Sequence, residues 1–146
     1  MSTLERAICI AARAHEGQKD KAGVHYILHV LRVMLAMSSD DDRIVAVLHD
    51  LLEDTPWTVD ALRAEGFSQT IIDAIDGVTH REGESYDAFI QRVGTNAISR
   101  RVKLADLTDN ADLSRLDEPS QADRVRSLKY EKAIEMLKKP PPDQNA

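Results

Sequence analysis

The chain has 146 residues, enough for one domain with one sizeable core, and its 42% hydrophobic and 30% charged content excludes a disordered or fibrous protein. A formal net charge of −6 excludes a general basic footprint for nucleic acid or an anionic membrane. The single cysteine, Cys9, excludes an intramolecular disulfide and points to a reducing compartment.

A first helix is expected from Ser2 or Thr3, both good N-caps, to about Glu16, with Leu4, Ala7, Ile8, Ala11 and Ala12 at helical spacing and Gly17 as its stop. Cys9 lies in this apolar run and reads as a small buried hydrophobe. Residues 17–25 are polar and carry two glycines, so they read as a loop. A second helix follows from about Tyr26 to Met37. A third, roughly Asp41 to Glu53, starts with acidic residues where the helix dipole favours them. Its run IVAVLHDLLED is too apolar for a surface helix and places it centrally. Thr55-Pro56 ends it. Shorter helices are expected at Thr58–Glu65, Ser68–Val78 and Ser85–Val93, with a loop at residues 79–84. A longer helix spans Asn96 to Leu113, and a last one Gln121 to about Lys138. No strand pattern is present, so the expected fold is all-α, a helical bundle of about eight helices with no significant sheet. The expected division is a single domain over 1–139 and a disordered tail over 140–146, where KPPPDQNA cannot continue a helix.

Three segments carry candidate chemistry. His49 and Asp50 are adjacent inside the most apolar helix, and an ionised Asp is rarely buried without compensation. A divalent cation would provide it, because imidazole and carboxylate together suit Mn²⁺, Fe²⁺ or Zn²⁺. Glu53 and Asp54 follow one turn on, and acidic groups at a helix C-terminus oppose the dipole. In the second segment Lys103, Asp106 and Asn110 share a helix face, which is equally the pattern of an ordinary amphipathic helix. The third is His29 with Tyr26 before it. Two His and two Asp from three helices would make a mixed N/O metal site with open positions. His15 and His25 read as satisfied polar residues, and His80 as a solvated loop residue.

Gly17-Gln18, Tyr26-Ile27-Leu28-His29, Leu48-His49-Asp50-Leu51-Leu52-Glu53-Asp54-Thr55, Asp76-Gly77-Val78-Thr79 and Lys103-Leu104-Ala105-Asp106 occur in that order. Together they resemble the HD hydrolase domain of the RelA/SpoT family, and particularly its small alarmone hydrolases of the metazoan SpoT homologue type. The resemblance covers about residues 3 to 116. It implies that His29, His49, Asp50 and Asp106 bind one Mn²⁺, that Glu53 and Asp54 orient or deprotonate the attacking water, and that Asn110 and Tyr26 meet the nucleotide. It further implies hydrolysis of the 3′-pyrophosphate of ppGpp and pppGpp to GDP or GTP and pyrophosphate. The chain departs from the family where a base-stacking Arg-Lys pair is expected, since Asp20 and Lys21 stand there, and Val30 replaces the proline after His29. The run after Asp106 also differs from the family's RLxNMRTL.

On this reading Lys19, Lys21 and Lys103 neutralise a polyphosphate in an otherwise acidic protein. The expected partner is a small nucleotide, with no nucleic acid, no membrane, a cytoplasmic location, and homo-oligomerisation left open. No segment beyond residue 140 predicts a synthetase domain. Two alternatives stand beside it: an HD phosphohydrolase acting on another nucleotide or phosphate ester, and a catalytically silent nucleotide-binding module.

Overall fold

The computed structural model of the chain describes residues 2–139; Met1 and residues 140–146, the expected disordered tail, lie outside the described residues. Among the described residues the chain is all helical, with nine helices and no strand beyond an isolated bridge between Lys19 and His25 in a loop. They are α1 (Leu4–Ala14), α2 (Ile27–Leu35), α3 (Asp40–Val47), α4 (Leu51–Asp54), α5 (Val59–Ala64), α6 (Gln69–Gly77), α7 (Tyr86–Val93), α8 (Ala97–Ala111) and α9 (Gln121–Lys138). Among the described residues no helix is long and apolar enough to cross a membrane.

Side-chain caps explain where most helices start. Thr3, Ser39, Thr58, Ser68, Ser85, Asn96 and Ser120 each accept a hydrogen bond from the third backbone N–H beyond them, satisfying a donor the helix leaves free. Ser120 and Asp123 complete a capping box at α9. Gly17, at φ +86°, takes the left-handed turn that a side chain resists and ends the first helical segment.

Helices α2, α3 and α8 pack against one another around Val30, Val33, Val45, Leu48 and Leu107, while α6 and α7 extend the core through Ile72, Ile75 and Ile90. Gly77 is required by close approach, since a Cβ there would lie 2.5 Å from Ser99 Oγ, which itself donates to the Ala74 carbonyl at 2.7 Å.

Two expectations are corrected. The expected third helix is not continuous: it breaks after Val47, and residues 48–50 form a tight turn before α4. There the backbone switches to shorter bonds, His49 N–H to Ala46 at 3.3 Å and Leu51 N–H to Leu48 at 3.1 Å. The fully buried Leu48 and Leu51 hold the turn to the core on both sides, so it cannot swing outwards. The second correction is Cys9, which is exposed. The face of α1 that packs inward runs through Ala7, Ile10 and Ala11, and Cys9 falls on its far side.

Candidate metal centre and ligand pocket

His29 comes from the first turn of α2, His49 and Asp50 from the turn between α3 and α4, and Asp106 from the middle of α8. The break after Val47 is what turns two consecutive side chains, His49 and Asp50, toward one point. His29, His49 and Asp50 offer ligand atoms within 4.8 Å of one another. Asp106 Oδ1 lies 3.0 Å from His29 Nε2 and 3.3 Å from His49 Nε2, and Asp50 Oδ2 lies 3.0 Å from His49 Nε2. Both histidines are buried, at 3% and 2% exposure, and their Nε2 atoms are within reach of carboxylate oxygens without the direction a hydrogen bond needs. Two buried imidazole nitrogens left without a hydrogen bond and facing two carboxylates suit a divalent cation better than they suit each other. The residues present therefore fit a metal ion.

The partners outside this centre set its orientation. His49 Nδ1 lies 2.6 Å from the Ala46 carbonyl. A carbonyl only accepts, so Nδ1 carries a proton and the neutral ring has its lone pair on Nε2. Tyr26 donates its hydroxyl to Asp50 Oδ2 at 2.6 Å. Asn110 donates to Asp106 Oδ1 at 3.0 Å, and Lys103 Nζ to Asp106 Oδ2 at 2.9 Å. Lys103 is thus directed inward, over the Phe89 ring, and its charge is engaged by Asp106.

Charge balance within this cluster has a measurable consequence. Burial opposes protonation of both imidazoles, but the surrounding carboxylates outweigh it: contacts with Asp106 and Asp109 raise the pKa of His29, and Asp50 and Asp106 raise that of His49. A histidine whose folded pKa is raised contributes stability that is full below its ordinary value, about 6.5, and is lost as pH climbs through the raised value. The metal-stripped protein is therefore expected to melt at lower temperature as pH rises above about 6.5, and a saturating divalent ion to remove that loss. Thermal melts across pH with and without metal check this; a flat profile for the stripped protein would contradict it.

Glu53 and Asp54 stand at the end of α4, beside the centre. The Glu53 carboxylate accepts the backbone N–H of His80, which belongs to the 79–84 loop. Arg92 fastens that loop, donating to the Thr79 carbonyl at 2.7 Å and pairing with Glu84 at 2.8 Å. The hydrogen bond from Arg92 holds the Glu84 carboxyl down to about 2. The Asp54 carbonyl accepts from Gln18 at 3.1 Å, and its carboxyl pKa is raised by burial first and then by Asp50 and Glu53.

Next to the centre lies a cavity of about 420 Å³, lined by Lys19, Lys21, Tyr26, Asn110, Arg115 and Arg126 among others. Tyr26 and Asn110 belong to both the cavity and the hydrogen bonds around Asp50 and Asp106, so the two are adjacent. Asp20 also borders the cavity, but its Oδ1 accepts from Ala22 N–H and Val24 N–H, each at 2.9 Å. Its carboxylate is thereby used to close the loop. Asp123 is paired with Arg126 and caps α9. Burial and then Arg126 lower the pKa of Lys21.

Several residues escaped the sequence reading or were misread by it. Asp109 Oδ2 lies 2.7 Å from His29 Nδ1, although its neighbour Asn110 had drawn the notice; its position three residues beyond Asp106 was the available signal. Arg126 and Tyr130, both on α9, line the cavity from a segment with no motif of its own. His15 is buried rather than satisfied at a loop edge: Nδ1 meets Gln18 Oε1 at 2.8 Å and Nε2 has no partner. His25 is exposed, as is His80, whose ring nevertheless meets Phe89 and whose Nε2 donates to the Glu84 carbonyl at 2.7 Å.

No family model matches the chain. Among characterised relatives, guanosine-3′,5′-bis(diphosphate) 3′-pyrophosphohydrolase of Aquifex aeolicus is 32% identical over 119 residues, 73% of this chain and 17% of the relative. The Haemophilus influenzae protein of the same name is 33% identical over 116 residues, 69% of this chain and 17% of the relative. GTP pyrophosphokinase of Streptomyces coelicolor is 34% identical over 120 residues, 73% of this chain and 14% of the relative. The chain thus spans about a sixth of the length of these relatives. Among solved structures, a metazoan orthologue of SpoT described as hydrolysing ppGpp superposes with a TM-score of 0.74 at 21% identity, covering 94% of this chain and 85% of that one. That likeness establishes the shared all-helical fold.

Proposed function

Starting from an HD-type domain related to the hydrolase domain of the RelA/SpoT proteins, we propose that this chain removes the 3′-pyrophosphate from ppGpp and pppGpp, giving GDP or GTP and pyrophosphate. The observation that carries the reading is the convergence of two unpartnered imidazole nitrogens and two carboxylates beside a cavity to which Lys19, Lys21, Arg115 and Arg126 contribute. His29, His49, Asp50 and Asp106 would hold one divalent ion, with Mn²⁺ as our choice among those a mixed N/O set accepts. When bound, that ion supplies positive charge against the phosphoryl oxygens and makes water more acidic.

The chain's own residues then divide the remaining work. Glu53, anchored by His80 N–H, positions the attacking water. Asp54 takes its proton, since a raised pKa makes it a better base than an ordinary aspartate. The water oxygen bonds to the phosphorus joined to the ribose 3′ oxygen, that P–O bond breaks, and the 3′ oxygen leaves with a proton. Lys19 and Lys21 neutralise the phosphates, with Arg115 and Arg126 alongside. Tyr26 and Asn110 seat the nucleotide, while Lys103 acts through Asp106. The partner is a small nucleotide in the cytoplasm, with no role for nucleic acid or membrane.

Asp20 favours a second reading, an HD phosphohydrolase for a different nucleotide. The resemblance expects a base-stacking arginine where Asp20 closes the loop instead. On our reading Arg126 and Tyr130 supply the missing cation and ring from α9. Arg126→Ala is then expected to raise KM for ppGpp roughly tenfold with little change in kcat, about the loss of one stacked or charge-assisted contact. The reaction itself is tested by incubating the protein with Mn²⁺ and a panel holding ppGpp, GTP and ATP and identifying the products. GDP plus pyrophosphate from ppGpp supports the proposal. Turnover confined to nucleotides without a 3′-pyrophosphate moves the assignment to the second reading.

A further inference from the structure

His29 and His49 are held on opposite sides by unlike partners. The Nδ1–H of His49 meets a neutral backbone carbonyl, that of Ala46. The Nδ1 of His29 meets a carboxylate, Asp109 Oδ2, at 2.7 Å across 80 residues of chain. Asp109 is itself gripped from two directions. Arg32, one turn beyond His29 on α2, donates to Oδ1 at 2.8 Å and Oδ2 at 3.1 Å. Arg115, from the segment after α8, donates to Oδ1 at 3.3 Å and to the Asp109 carbonyl at 3.3 Å. One carboxylate thus meets three residues, His29 and Arg32 from α2 and Arg115 from the segment after α8.

We infer that Asp109 is a positioning residue for the metal, accepting the Nδ1–H of His29 so that the ring presents Nε2 as a lone pair to the centre. A carboxylate on the far nitrogen both selects this tautomer and makes the imidazole a stronger donor than a carbonyl does. The two histidines are therefore unequal ligands, and His29 binds the ion more strongly for its carboxylate. Arg32 and Arg115 keep the carboxylate in one rotamer, so the ring cannot turn about its Cβ–Cγ bond. A purely structural tie between α2 and α8 would need neither the imidazole contact nor two arginines on one carboxylate.

The inference rests on the metal reading but not on the identity of the substrate. It is tested on Asp109→Ala and Asp109→Asn by titrating metal-stripped protein with Mn²⁺ against a chelator. The second readout is the ¹⁵N and ring N–H spectrum of the Zn²⁺-loaded proteins. Asp109→Ala is expected to weaken Mn²⁺ binding roughly 10–100-fold and to lose the protected His29 Nδ1–H signal. Asp109→Asn keeps an acceptor without its charge, so it should retain that signal and lose less affinity. Should Asp109→Ala fail to fold, the asparagine variant alone decides, since its shape is unchanged. Unaltered affinity together with an unaltered His29 signal in the folded variants overturns the inference alone. Wild-type protein that binds neither Mn²⁺ nor Zn²⁺ overturns both it and the metal reading.

Discussion

Asp106→Ala is expected to bring hydrolysis to background, to abolish stoichiometric metal binding, and to destabilise the metal-free fold by about 3–5 kcal/mol. Asp106 is 3% exposed, and its carboxylate accepts from Lys103 at 2.9 Å and Asn110 at 3.0 Å while facing both histidines. Removing it leaves the Lys103 ammonium, whose side chain is 15% exposed, without its counter-charge, and an uncompensated, largely desolvated charge is costlier than a lost surface pair. Lys103 now holds its proton more firmly than a free lysine because Asp106 outweighs the cost of burial. Asp106→Asn separates the two effects. It keeps the shape, so metal binding and turnover should still fail while the fold loses less stability. Metal content, chemical denaturation and turnover on the same preparations check this; an Asp106→Ala variant that still binds one ion would contradict it.

The second large effect belongs to the acidic pair. Asp54→Asn and Glu53→Gln are each expected to lower kcat roughly 10²–10⁴-fold, the usual worth of a positioned acid or base, while the metal stays bound. Glu53→Gln keeps an acceptor for the His80 N–H, so the loop should hold and the loss should fall on chemistry. For Asp54 the pH profile adds a sign. A base works only when deprotonated, so activity falls as pH drops through its pKa, which burial lifts above the ordinary aspartate value of about 3.9. Burial is the largest cause and persists with metal bound, whereas the contribution from the Asp50 charge is offset by the ion. The acid limb of kcat/KM should therefore lie above that of a free aspartate and be lost in Asp54→Asn. An unchanged acid limb in that variant would assign the proton transfer elsewhere.

How much of this could be read beforehand depends on how locally each feature is encoded. Helix α9 was expected from Gln121 to about Lys138 and is found there, because a serine cap stands immediately before its first residue and the sequence turns proline-rich just after its last. His29, His49, Asp50 and Asp106 were identified by motif order, and the fold brings them together. The break at residues 48–50 was hidden because an unbroken apolar run reads as one helix, while the tight turn is imposed by Leu48 and Leu51 packing on both sides. Lys103 was read as a substrate contact from its helix face, and the structure pairs its ammonium with Asp106 at 2.9 Å. Asp109 and Arg126 arise from contacts between segments 80 residues apart or on α9, where no local pattern announces them.

The most direct test strips the protein of metal, restores Mn²⁺ in steps, and follows pyrophosphate release from ppGpp alongside a His49→Ala control. The account predicts that release rises with Mn²⁺, saturates at one ion per chain, and is absent in the control. Release that is independent of added metal, or equal in the His49→Ala protein, would contradict a centre built on His29, His49, Asp50 and Asp106.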